Sequence, residues 1–78
     1  MSRTIKIYST PTCPYCQMVK SFLKDRGIDY VDFDVSTDAA AAEEMVQKTG
    51  QMGVPVIDID GETVVGFDQE RIEGLLGN

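Results

Sequence analysis

Apolar positions change spacing several times along the chain, and each change marks an element. Ile5-Lys6-Ile7-Tyr8 alternates and is rich in β-branched residues, which predicts a strand. Ser9-Thr10-Pro11-Thr12 breaks that pattern. A helix is expected to begin near Cys13 or Pro14, because proline fits the first helical turn, where its missing N–H has no intrahelical partner. Tyr15, Met18, Val19, Phe22 and Leu23 then recur at helical spacing, and Gly27 stops the run, with Lys24 and Arg26 suited to the negative end of the dipole. Tyr30 to Val35 alternates again and predicts a second strand. Ser36, Thr37 or Asp38 can cap a second helix, whose apolar side includes Ala42, Met45 and Val46 and which ends at Gly50. Within it Glu44 and Lys48 form an i,i+4 pair worth roughly a few tenths of a kcal/mol. Val54 to Ile59 and Glu62 to Val65 are two apolar runs joined by Asp60-Gly61, a strong hairpin signal. Asp68 can cap a last helix carrying Ile72, Leu75 and Leu76, with Gly74 inside it.

The predicted order is β-α-β-α-β-β-α over residues 1–78, one α/β domain. The first β-α-β should be a right-handed parallel crossover. The hairpin should add two antiparallel strands, completing a four-stranded mixed sheet flanked by three helices on its two faces.

Charge is distributed unevenly. Residues 1–26 hold five basic residues (Arg3, Lys6, Lys20, Lys24, Arg26) against one acid, Asp25, while the remainder carries twelve acids and two bases. The net charge of -6 argues against nucleic-acid binding. It is consistent with a solvated acidic surface or with one that steers a basic partner. No apolar run is long enough to span a bilayer, and the first residues lack the pattern of a secretory signal. The expectation is therefore a cytoplasmic chain, without membrane association and monomeric by default, in a compartment that keeps thiols reduced.

The chain has two cysteines, Cys13 and Cys16, and no histidine. A zinc site needs four ligands, which one chain cannot supply here. A structural disulfide closing so short a loop would restrict the unfolded chain little. A C-x-x-C beside a β-α-β pattern points to redox chemistry. At a helix start, unpaired N–H groups and the positive dipole end favour a thiolate at Cys13. Cys16, about one turn on, has the spacing of a resolving thiol. The expected reaction is attack by Cys13 on a substrate disulfide, then release by Cys16. With no histidine, a Cys-His hydrolase is excluded.

Over nearly its whole length the chain resembles the glutaredoxin branch of the thioredoxin superfamily. The resemblance rests on the Tyr8-to-Cys16 run ending in Cys13-Pro14-Tyr15-Cys16, on Thr49-Gly50-Gln51, on Val54-Pro55, and on Gly66 with Asp68. It is similar to small glutaredoxin-like proteins of the YruB type and to NrdH redoxins. The resemblance implies a cis Pro55 beside the cysteines, with the Val54 backbone pairing an incoming peptide or glutathione. It implies that Tyr15 flanks the substrate and that Gln51, Gly66 and Asp68 contact glutathione. Asp68 as a helix cap and Gly66 as a turn residue have structural explanations as well.

Several positions depart from the family pattern. Thr10 stands where a lysine is usual, Gly53 where threonine is usual, Met52 where a basic residue is common, and Val65 where glycine is usual. A lost charge-assisted contact costs about 1.5–3 kcal/mol. Two such losses would weaken glutathione binding roughly 100-fold or more. The resemblance thus implies protein or glutathione mixed disulfides as substrates, no bound cofactor, and electrons from glutathione or from a thioredoxin-reductase-type flavoenzyme. An alternative is a dimeric iron–sulfur or metal carrier using Cys13, although the proline and tyrosine between the cysteines suit redox-active members better. A partner-binding module with incidental thiols is a third reading.

Overall fold

Ile5–Ser9 (β1) leads through a turn into Pro14–Asp25 (α1), followed by Val31–Asp34 (β2), Ala39–Thr49 (α2), Val56–Ile59 (β3), Glu62–Val65 (β4) and Gln69–Leu75 (α3). The structure is a computed structural model that describes residues 4–51 and 53–77. The readings placed on Arg3 and Met52 lie outside the described residues. The strands form one sheet in the order β2-β1-β3-β4. β1 and β2 are parallel, whereas β1–β3 and β3–β4 are antiparallel. This is the mixed α/β sheet that the element order predicts. No described helix is long and apolar enough to cross a membrane.

The sheet separates two apolar clusters. Ile5 and Ile7 of β1 point to one face and pack with Val19 and Leu23 of α1, Ile57 and Ile59 of β3, Val64 of β4, and Ile72 and Leu76 from the α3 region. Tyr8 and Val56 point to the other face and pack with Ala41 and Met45 of α2. Burial on both faces explains why the central strands are almost continuously apolar.

Three readings need adjustment. In α1 the buried stripe is Cys16, Val19 and Leu23, with Phe22 partly buried, whereas Tyr15 and Met18 stand outward at 61% and 46% exposure. Both stripes have helical spacing, and contact with the sheet selects between them. In α2 the buried positions are Ala41 and Met45, with Ala42 and Val46 at the margin. β3 begins at Val56 instead of Val54, since Pro55 has no N–H for the ladder. The Pro55 carbonyl instead accepts the Gly66 N–H at 2.8 Å.

Local chemistry fixes the ends. Asp38, among the three possible caps, accepts the Ala41 N–H at 3.0 Å, and Gly50 closes α2 in the left-handed region at φ 75°. Asp60 and Gly61 both have positive φ, 51° and 96°, as a two-residue I′ hairpin turn requires. Asp38→Ala should destabilise the fold by about 1 kcal/mol. That is a fall in Tm of about 4–8 °C for a domain of this size, readable by thermal circular dichroism. An unchanged Tm would show that the cap contributes nothing.

One polar group joins α2 to the sheet in a way that spacing alone does not reveal. Lys48 Nζ lies 3.6 Å from Glu44, as the i,i+4 spacing expects, but it also bonds the carboxylate of Asp58, which is only 5% exposed. Tyr8, buried in β1, donates its hydroxyl to Glu44 and accepts from Lys48 at 3.2 Å.

Candidate active site

The loop after β1 delivers the cysteines. Cys13 is the N-cap of α1, with extended backbone (φ −90°, ψ 113°), and Pro14 opens the helix. The Cys13 N–H donates to the Thr10 carbonyl at 3.4 Å, which tightens the loop, and the Cys13 carbonyl accepts the Gln17 N–H at 3.2 Å. The side chain takes the usual role of a capping oxygen: Cys13 Sγ accepts the Cys16 N–H at 3.3 Å. Cys13 is partly exposed, Cys16 is fully buried, and both are free thiols.

The two thiols are driven apart. Slight burial pushes the Cys13 thiol up, but hydrogen bonds from the Cys16 side chain and backbone and from the Tyr15 backbone, together with the Lys20 charge, outweigh it and bring Cys13 below its ordinary value. Burial, followed by the hydrogen bond to Cys13 and by that neighbour's negative charge, pushes Cys16 up to about 11. One cysteine is thus a partly exposed thiol whose ionisation is favoured, and the other is a buried thiol one turn away.

Sheet register assembles the surroundings. Tyr8 pairs with Val56, so the start of β3 lies against the end of β1 from which the Cys13 loop departs. The Val54–Pro55 peptide, cis as the resemblance implies, occupies that end. Val56 pairs with Val65, and the Gly66 N–H bonds Pro55, which brings Gly66 to the same end with φ 82°. Tyr15 projects beside Cys16 into solvent. Asp68 is exposed and accepts the Arg71 N–H at 3.2 Å as the cap of α3. Gln51 is exposed just beyond α2, its carbonyl accepting from the Thr49 hydroxyl at 3.1 Å. Val65, on the edge strand, is 48% exposed, and Thr10 lends its carbonyl to Cys13 where a lysine would bring charge.

The glutaredoxin family model matches residues 5–64. The chain belongs to the glutaredoxin family. The glutaredoxin-like 8.6 kDa protein of the rubredoxin operon in Clostridium pasteurianum is 51% identical over 72 residues, covering 92% of this chain and 96% of that protein. Glutaredoxin 3 of Escherichia coli K12 is 36% identical over 64 residues, covering 82% of this chain and 77% of that one. Among solved structures, the thioredoxin-like protein BC3987 superposes with a TM-score of 0.87 at 40% identity, covering 92% of this chain and 99% of that chain. Family membership and two neighbouring cysteines together support thiol–disulfide oxidoreductase chemistry in general.

Other residues gather at the site without having been singled out from sequence. Ser9, Pro11, Gln17, Lys20, Asp32 and Asp34 line a hollow beside the cysteine loop. The available signal was spacing, since Lys20 follows Cys16 by four residues and Cys13 by seven. Asp32 comes from β2 and needed the fold to bring it there. Among the described residues no three Cys, Asp or Glu side chains converge as a metal-binding group.

Proposed function

We propose that this glutaredoxin-family chain is a dithiol–disulfide oxidoreductase in which Cys13 attacks and Cys16 resolves. The observation that carries the reading is the Cys16 N–H donating to Cys13 Sγ at the start of α1, with the second thiol buried one turn away. The Cys13 thiolate attacks a substrate disulfide R–S–S–R′, forms Cys13–S–S–R and expels R′–S⁻, which takes up a proton. Cys16 gives up its proton and attacks Cys13 Sγ, closing the Cys13–Cys16 disulfide and releasing R–S⁻. Two electrons pass from the protein to the substrate. While Cys13 is a thiolate, its charge helps keep the Cys16 proton in place. In the mixed disulfide that charge is gone, so Cys16 ionises more easily at the step that needs it.

Val54 offers its backbone to a peptide or to glutathione as a short added strand, and Tyr15 flanks the substrate. Gln51, Gly66 and Asp68 supply contacts to glutathione. Thr10 and Val65 weaken that site relative to the family pattern, so glutathione serves as a poor electron donor and a thioredoxin-reductase-type flavoenzyme is the second supply. A side-by-side assay tests this, with insulin as substrate and either glutathione plus glutathione reductase or thioredoxin reductase as the source. Slow turnover on glutathione with an elevated KM is expected. Turnover on thioredoxin reductase alone would remove glutathione as a donor, and robust turnover on glutathione alone would remove the flavoenzyme.

A further inference from the structure

Lys20, midway along α1, reaches across to Asp32 of β2. Cys13, Cys16 and Lys20 share one side of the helix by their spacing. Helical side chains lean towards the N-terminus, which carries the Lys20 ammonium back towards the thiols. It lines the hollow together with Pro11, from the loop that holds Cys13. Its Nζ lies 2.8 Å from Asp32 Oδ2, and its side chain is only 18% exposed, so solvent screens it incompletely. Asp32 is itself held from behind: its Oδ1 accepts the hydroxyl of the buried Ser9 at 2.7 Å.

We propose that Lys20 is a positioning residue for thiol exchange, an ammonium on the cysteine side of α1 that promotes ionisation of the nucleophile while Asp32, anchored by Ser9, holds it back. The inference rests on the reading of Cys13 as the nucleophile. Cys16 faces Cys13 from within α1, and the charged groups lining the hollow beside the cysteine loop are Lys20 of α1 and Asp32 and Asp34 of β2. Asp34 is engaged by the N–H and hydroxyl of Ser36. On the β3–β4 side Val54, Pro55 and Gly66 carry no charge, and the nearest acid along the chain, Asp68, caps α3. Lys20 is the one cation of this set, and its charge acts on Cys13 in the direction of ionisation. Opposite charges at Lys20 and Asp32 make opposite predictions for their removal.

The test is the pH dependence of iodoacetamide alkylation of the reduced protein, with Cys13 followed by peptide mapping and folding checked by circular dichroism. Lys20→Met should move the midpoint of the Cys13 profile up by about half a pH unit, a roughly threefold smaller thiolate fraction below the midpoint. Lys20→Arg should keep the wild-type midpoint. Asp32→Asn should move it down, because the freed ammonium turns to the thiolate. A midpoint unmoved by Lys20→Met overturns the inference, and so does a shift of the same sign in Lys20→Met and Asp32→Asn, which marks general disturbance of the helix. A wild-type midpoint at the ordinary value of free cysteine overturns the assignment of Cys13 as nucleophile, and this inference with it. A low wild-type midpoint that Lys20→Met leaves in place overturns the inference alone.

Discussion

Cys13→Ser should lower the rate of insulin reduction by at least about a thousandfold, because a hydroxyl has no comparable anion near neutral pH and cannot enter thiol–disulfide exchange. The loss should leave the fold intact. The side chain is partly exposed, and serine is a good N-cap whose oxygen can take over the Cys16 N–H that sulfur accepts at 3.3 Å. Cys16→Ser should behave differently. On the proposed roles it removes the resolving thiol and leaves Cys13 able to attack, so the mixed disulfide should accumulate and be visible by mass spectrometry. Wild-type insulin reduction by Cys13→Ser would overturn the assignment of the nucleophile. Equal accumulation of a mixed disulfide on Cys16 in that variant would reverse the two roles.

A second large effect is expected far from the thiols, at Asp58. This carboxylate is 5% exposed, pairs with Lys48 across the α2–sheet contact, and accepts the Gly61 N–H of the hairpin turn at 2.8 Å. Burial pushes the Lys48 ammonium down, but its hydrogen bonds to Asp58 and Tyr8 outweigh that and hold it well above the usual lysine range. Asp58→Ala leaves two donors without their acceptor and should cost about 3 kcal/mol. For a domain of 78 residues that lowers Tm by more than about 10 °C. Asp58→Asn keeps an acceptor for Gly61 and loses the charge pair, so its loss should be smaller. Chemical denaturation of the three proteins checks the order. Equal stability of wild type and Asp58→Ala would show that the pair contributes no net stability, as some buried ion pairs do not.

The two predictions draw on different kinds of legibility. The cysteine pair could be read from the chain because its chemistry is local. Pro14 at the helix start, Cys13 as its cap and Cys16 one turn on all act within four consecutive residues. The Asp60-Gly61 turn, the Asp38 and Asp68 caps and the Gly50 stop were legible for the same reason: each is a short-range backbone requirement met by neighbouring side chains. The Asp58 network was only half legible. The Glu44–Lys48 spacing is visible along the helix, but Asp58 and Tyr8 belong to strands, and only helix-on-sheet packing makes them partners. The same holds for α1, whose sequence offers two stripes at helical spacing, and the sheet buried Cys16, Val19 and Leu23 while leaving Tyr15 and Met18 in solvent.

Sequence by itself determined the order of elements and the position of the cysteine pair at a helix start, which follow from periodicity and capping within a turn or two of the chain; the weight given to Thr10 and Val65 came from the family resemblance. Tertiary structure alone decided which helix stripe was buried and that Asp32 pairs with Lys20 in the hollow beside the cysteine loop, and strand register brought Pro55 and Gly66 to the end of the sheet that carries that loop. Each of these depends on strand register between segments distant in sequence. Outside the β3–β4 hairpin, where the Asp60-Gly61 turn fixes it, register is set by the burial of whole faces.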